Sequence, residues 1–84
     1  MKILWTKHAR YKTEVLREHG FPIRETLVEE ALKGRPRAEM RPSGEKIARM
    51  ELDADHVLRI VFSESAEGRK IITIYPARRR RYEA

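Results

Sequence analysis

The residues most suited to chemistry lie in the last fifth of this 84-residue sequence. Positions 69–82 hold six cationic side chains and no acidic one: Arg69, Lys70 and Arg78 to Arg81. Guanidinium groups donate paired hydrogen bonds to phosphate oxygens, and the nearby Tyr75 and Tyr82 can stack on exposed bases. The segment therefore predicts binding to a nucleic-acid backbone. A solvated tail without a specific partner, or one that docks on an acidic protein, is the alternative interpretation.

His8 is the second chemical candidate, because imidazole transfers protons near neutral pH. It precedes Lys12 by one turn of a predicted helix, so both residues fall on the same side. A histidine that only borders the core and bonds a carbonyl is the alternative role at such a position. The three histidines have no metal-ligand spacing, and no phosphate loop or dinucleotide motif is present. We therefore assign no metal and no cofactor.

Composition limits the class of protein. An 84-residue chain allows one domain with a single small core, and we treat residues 1–84 as that domain. The sequence has no Cys, and no apolar run approaches the ~18 residues needed to cross a bilayer. The first residues are charged too early for a signal peptide, so we expect a cytoplasmic protein. The absence of Asn and Gln beside 38% charged residues indicates a thermophilic source.

Two helices are predicted to come first along the chain. Thr6 can cap a helix over about residues 7–19, which would turn Leu16 inward and Thr13 outward. A very short connection leads to a second helix. Together they form a helical hairpin over about residues 7–33.

Three β-rich runs with short polar turns predict an antiparallel meander over about residues 46–76. Residue alternation gives one sheet face to the helices and leaves the other partly open. The fold class is therefore α+β, with two N-terminal helices packed on one face of an antiparallel three- to four-stranded sheet. A basic tail follows at residues 77–84. The helix-facing residues are predicted to be Ala48, Met50, Leu52, Leu58, Ile60, Phe62, Ile72 and Ile74. The opposite face, called the open face below, is predicted to hold Ile47, Arg49, Glu51, Val57, Arg59, Val61, Ile71, Thr73 and Tyr75.

Three stretches of the sequence resemble a known family when they are taken in order. The run Trp5 to Ala9 (WTKHA) is similar to the start of a widespread prokaryotic domain family of unknown function. Residues 16–25 (LREHGFPIRE) look like the joint between the two helices of BrnT-type toxins. Residues 72–83 (ITIYPARRRRYE) look like the closing segment of the same toxins. The chain thus resembles small toxins of the RelE/ParE superfamily.

This resemblance implies a microbial-RNase-like fold and a metal-independent endoribonuclease of a type II toxin–antitoxin pair. Such a toxin acts on mRNA and is held inactive by a small acidic antitoxin protein. Carried onto this sequence, catalytic roles fall on His8 and Arg78, and Arg59 joins them from its predicted place on the open face. The predicted nucleic-acid-binding residues are Lys12, Arg49, Tyr75, Arg79, Arg80, Arg81 and Tyr82.

Two other functional classes stay open at this point. A non-catalytic module of the same fold would bind nucleic acid or a protein through the same basic surface. A homodimer would form instead if the aliphatic residues of the open face made an exposed apolar patch. That patch would consist of Ile47, Val57, Val61 and Ile71.

Overall fold

The sequence predicts helices up to about Gly34 and strands from about Lys46. In the structure, the two longer helices lie in the first part and the three longer strands in the second. The computed structural model describes residues 2–82, and side chains over residues 2–80. The helices are α1 (Lys7–Glu18), α2 (Glu25–Ala31) and the short α3 (Arg79–Tyr82). The strands are β1 (Ile3–Trp5), β2 (Ala38–Met40), β3 (Lys46–Glu51), β4 (His56–Ser65) and β5 (Gly68–Arg78). The fold class is α+β, as the sequence predicts.

The sheet is larger than the predicted three- to four-stranded one, and it is mixed. Its strand order is β1-β5-β4-β3-β2. The antiparallel meander of β3, β4 and β5 is confirmed, while β1 adds a parallel pair with β5 and β2 adds an antiparallel edge. Gly68, at φ +144°, allows β1 to approach, because a Cβ there would collide with the carbonyl oxygen of Lys2.

The first helix is capped as predicted but buries one residue that was expected to be exposed. The Thr6 hydroxyl accepts a 3.1 Å hydrogen bond from the backbone N–H of Ala9. The buried stripe of α1 is Ala9, Thr13 and Leu16. Thr13 is fully buried. Its hydroxyl donates a 3.0 Å hydrogen bond to the Ala9 carbonyl, so the polar group is satisfied inside the core.

A β-bulge changes which isoleucine of β5 faces the helices. Val61 pairs with Thr73, but the next residue, Phe62, pairs with Ile71, so one residue of β5 is left over. The side chains of β5 that precede the bulge therefore lie on the opposite face from the one that simple alternation predicts. Ile71 is fully buried in the helix-facing core and Ile72 is only half-buried, the reverse of the predicted assignment.

Strand β5 extends beyond the predicted end of the meander near residue 76, into the predicted basic tail at residues 77–84. Strand β5 continues to Arg78, which pairs with His56 of β4. The following four residues form the short helix α3. None of the helices within residues 2–82 is long and apolar enough to cross a membrane.

Candidate nucleic-acid interface

Three polar side chains are aligned at the centre of the open face. Strand register sets Arg49 of β3 opposite Arg59 of β4, and Arg59 opposite Tyr75 of β5. Arg59 is only 6% exposed, and its Nε donates a 2.9 Å hydrogen bond to the Tyr75 hydroxyl. Its guanidinium carbon lies 5.7 Å from the centre of the Tyr75 ring. The guanidinium is therefore held in one place before any ligand arrives.

The charge at this centre is positive. Arg49 and Arg59 are directly opposed across two strands, and like charges in such a pair repel each other. Glu39 of β2 supplies a carboxylate 3.5 Å from Nη2 of Arg59, but this glutamate side chain is 68% exposed. Its attraction is consequently weakened by water. A phosphate bound between the two arginines would reduce the repulsion.

His8 reaches the rim of the open face from α1. Strand β1 ends at Trp5, and the Thr6 hydroxyl then donates to the carbonyl of Ile71 at 2.9 Å, which fixes the start of α1 beside β5. His8 Nε2 and the hydroxyl of Thr73 share a 3.1 Å hydrogen bond. Thr73 thus links the histidine to the face that holds Arg59, a connection that sequence reasoning did not find. Lys12 lies one turn later on α1 and is half-buried.

The apolar residues of the open face do not form an exposed patch. Ile47 is 7% exposed, Val61 is 2% exposed and Val57 is fully buried. Ile71 belongs to the opposite face because of the bulge. The four residues on which the homodimer hypothesis depended are therefore all buried in the described chain.

Arg78 is not brought together with Arg59, contrary to the predicted catalytic set. Arg78 pairs with His56, and this pair lies two positions along the strands from the pair of Leu58 and Pro76. Residues two positions apart on a strand lie on the same face of the sheet. Leu58 lies in the helix-facing core, so alternation puts Arg78 on the same side of the sheet and not on the open face. Arg78 and Arg80 are exposed and border a cavity of about 170 Å³. The predicted side chains of Arg81 and Tyr82 lie outside the described ones.

Arg79 has a structural position that the sequence does not reveal. Its backbone N–H donates to the Asp55 carbonyl at 2.9 Å, and its side chain donates to the carbonyls of Asp53 and Ala54 at 2.9 and 3.2 Å. It also makes a salt bridge with Glu51, and this hydrogen bond lowers the pKa of that carboxyl. These hydrogen bonds of Arg79 therefore hold the start of α3 against the turn between β3 and β4.

The same turn contains a second polar pair. His56 Nδ1 and Asp53 Oδ1 lie 2.9 Å apart, and the backbone N–H of Asp55 donates to the same oxygen at 2.8 Å. The hydrogen bond with His56, followed by the one from Asp55, lowers the pKa of the Asp53 carboxyl. The His56 ring packs edge-on against Phe21 at 5.1 Å. This histidine has a structural role at the end of the sheet.

The described residues contain no group of three or more His, Asp or Glu side chains arranged to hold a metal ion. Comparison of the chain with protein-family models, with curated proteins and with solved structures finds no match.

Proposed function

We propose that this protein binds single-stranded RNA on the open face of its sheet. The observation that carries the proposal is the aligned row of Arg49, Arg59 and Tyr75. Two opposed guanidinium groups suit a phosphate, and a neighbouring tyrosine suits an unstacked base. RNA recognition on sheet faces uses this combination of stacking and charge.

The resemblance to RelE/ParE-superfamily toxins extends the proposal to RNA cleavage without a metal. In this role His8 would assist proton transfer as the 2′-hydroxyl of the RNA attacks phosphorus. Arg59 would stabilise the charge that develops on the phosphate. The hydrogen bond between His8 and Thr73 supports this extension, because Thr73 belongs to the same face as Arg59. A small acidic antitoxin would cover the same cationic surface.

One observation favours the non-catalytic alternative. Arg78 pairs with His56 on the helix-facing side of the sheet, away from His8 and Arg59. A binding module needs only the central row, whereas the predicted catalytic set needs all three residues at one phosphate. RNA binding without cleavage is therefore the second candidate function.

The binding proposal is tested by fluorescence anisotropy with a labelled single-stranded RNA at several salt concentrations. We expect a slope of about −0.7 in log K against log salt for each phosphate neutralised. Arg49→Ala should weaken binding about tenfold and reduce the slope by one phosphate. Arg24→Ala is the matched control, because Arg24 is equally exposed at the start of α2 in the helical layer. Equal effects of both variants would overturn the proposal.

Tyr75 provides a second pair of matched variants. Tyr75→Leu should lose the base-stacking surface and weaken binding about tenfold, whereas Tyr75→Phe keeps the ring and should bind nearly as well. The cleavage extension is tested separately by incubating the RNA with the protein in the presence of EDTA. Cleavage that disappears in His8→Ala, while RNA binding is retained, supports catalysis. Binding without any cleavage would assign the non-catalytic function.

A further inference from the structure

A second charged cavity lies on the helix-facing side of the sheet, away from the RNA-binding row. It has a volume of about 390 Å³ and lies beside the edge formed by β2 and β3. This volume is within the range of small-molecule sites in proteins. Its lining combines cationic, acidic and apolar side chains, among them Arg35, Met40, Lys46, Phe62, Glu64 and Arg69.

Arg69 is the buried polar group of this cavity. It is 6% exposed, and its Nη1 donates to the backbone carbonyls of Leu32 and Gly34, the latter at 2.7 Å. Its Nε is fully buried and has no hydrogen-bond partner. A buried N–H without an acceptor is uncommon and costly, so it indicates a place where an acceptor can bind.

Among the described residues that line the cavity, Glu64 is the only acidic one, and it lies between two cations. Its Oε1 accepts a 2.6 Å hydrogen bond from Lys46, while its Oε2 lies 3.6 Å from Nε of Arg69, which is beyond hydrogen-bond distance. Arg35 adds a third cation to the lining. Three cations against one carboxylate leave an excess of two positive charges in the lining.

The apolar part of the lining is formed by Met40, Pro36 and Ala38 together with the edge of Phe62. Met40 is 67% exposed, which is unusual for a large apolar side chain and leaves a flexible thioether at the rim. A ligand with an apolar body could cover this methionine while its charged end reaches Arg69. The cavity thus has a cationic floor and an apolar rim.

We propose that this cavity binds a small phosphate monoester with an apolar body. At neutral pH such a phosphate carries a charge of about −1.5 to −2 and three acceptor oxygens, which matches two excess cations and an unused buried N–H. One phosphate oxygen takes the place of Oε2 of Glu64 beside Nε of Arg69 and accepts from this N–H, while Glu64 stays with Lys46 through Oε1. The site lies on the opposite side of the sheet from Arg59, so this proposal is independent of RNA binding.

The probe is phenyl phosphate, titrated into the protein in phosphate-free buffer. The readout is the NMR signal of the Arg69 Nε–H together with calorimetry. We expect this signal to shift on binding. Lys46→Met should weaken binding about tenfold through loss of a charged donor, and Glu64→Gln should tighten it several-fold through loss of the competing negative charge. These two substitutions leave in place the bonds of Arg69 to α2, so folding is preserved.

Lys70→Met is the matched control for Lys46→Met. Lys70 is exposed on β5 beside Arg69 and pairs with Ser63. Because successive strand residues alternate between the two faces, Lys70 lies on the face opposite to the cavity. We expect this variant to bind phenyl phosphate like the unmodified protein. Equal weakening by Lys70→Met, weaker binding by Glu64→Gln, or an unmoved Arg69 signal at about 10 mM ligand would overturn the proposal. Phenylacetate binding as tight as that of phenyl phosphate would overturn the choice of a phosphate ligand.

Discussion

Arg59 and Arg69 are buried to the same degree, and yet they are stabilised in different ways. Each is 6% exposed, one on β4 at the open face and the other on β5 at the helix-facing side. Arg59 is held by side chains, the hydroxyl of Tyr75 and the exposed carboxylate of Glu39. Arg69 is held mainly by backbone, the carbonyls of Leu32 and Gly34 at the end of α2.

An arginine held by side chains can change partners when a ligand binds, whereas an arginine held by backbone carbonyls mainly stabilises the fold. An exposed glutamate can rotate away and leave a guanidinium to a ligand at little cost. Backbone carbonyls after a helix cannot do so, and they also carry the negative end of the helix dipole. Arg69 therefore connects β5 to the end of α2 through Nη1, whereas the proposed RNA phosphate would replace Glu39 at Arg59.

The largest effect is expected from Arg69→Met. This substitution leaves two carbonyls at the end of α2 without their donor and Glu64 without one of its two cations. We expect the free energy of unfolding to fall by about 3 kcal/mol, measured by urea denaturation. Lys70→Met, at the exposed neighbouring position, should change it by less than about 0.5 kcal/mol. A loss below about 1 kcal/mol for Arg69→Met would show that the contacts to α2 do not stabilise the fold.

The open face was predictable because its register is unbroken. The pairing of β3, from Lys46 onwards, with β4, up to Val61, follows simple alternation. The pairing of β5 with β4 does so from Thr73 onwards. Arg49, Arg59 and Tyr75 could therefore be assigned to one face from their spacing alone. The two N-terminal helices were predictable from periodicity, and the first also from its Thr6 cap.

The surroundings of Arg69 were not predictable, because alternation fails at the bulge next to Phe62. One extra residue in β5 reverses the faces of all residues before it, and no local residue type signals that insertion. The edge strands β1 and β2 have three residues each, which is too short for a periodic signal. The structural contacts of Arg79 were not predictable for another reason, since its partners lie 24 to 28 positions away along the chain and do not appear in any local pattern.

A smaller effect is expected from Arg59→Met. The substitution keeps an aliphatic chain over the sheet and removes the hydrogen bond to Tyr75. We expect the free energy of unfolding to fall by about 1 kcal/mol, because its partners can turn to water once the guanidinium is gone. A double-mutant cycle with Tyr75→Phe should give a coupling energy of about 0.5–1 kcal/mol. A loss as large as that of Arg69→Met would contradict the distinction between the two arginines.

The smallest expected effect is on the titration of Glu64, the carboxylate between Lys46 and Arg69. The hydrogen bond from Lys46, with the positive charges of Arg69 and Lys46, lowers the pKa of Glu64 in the folded protein. A carboxyl whose pKa is lowered by folding stabilises the protein above its unfolded pKa. This contribution is lost as the pH falls through the folded pKa.

Side-chain NMR titration of Glu64 checks this expectation. Lys46→Met should raise the pKa of Glu64, because Lys46 provides the strongest of these interactions, and it should reduce the dependence of stability on acid pH. Arg59→Met is the control, since it removes a cation from the open face and should leave the Glu64 titration unchanged. An equal rise of the Glu64 pKa in both variants would mean that general positive charge sets this pKa. The two sides of the sheet would then not be electrostatically separate, and the independence of the phosphate cavity from the RNA-binding row would be lost.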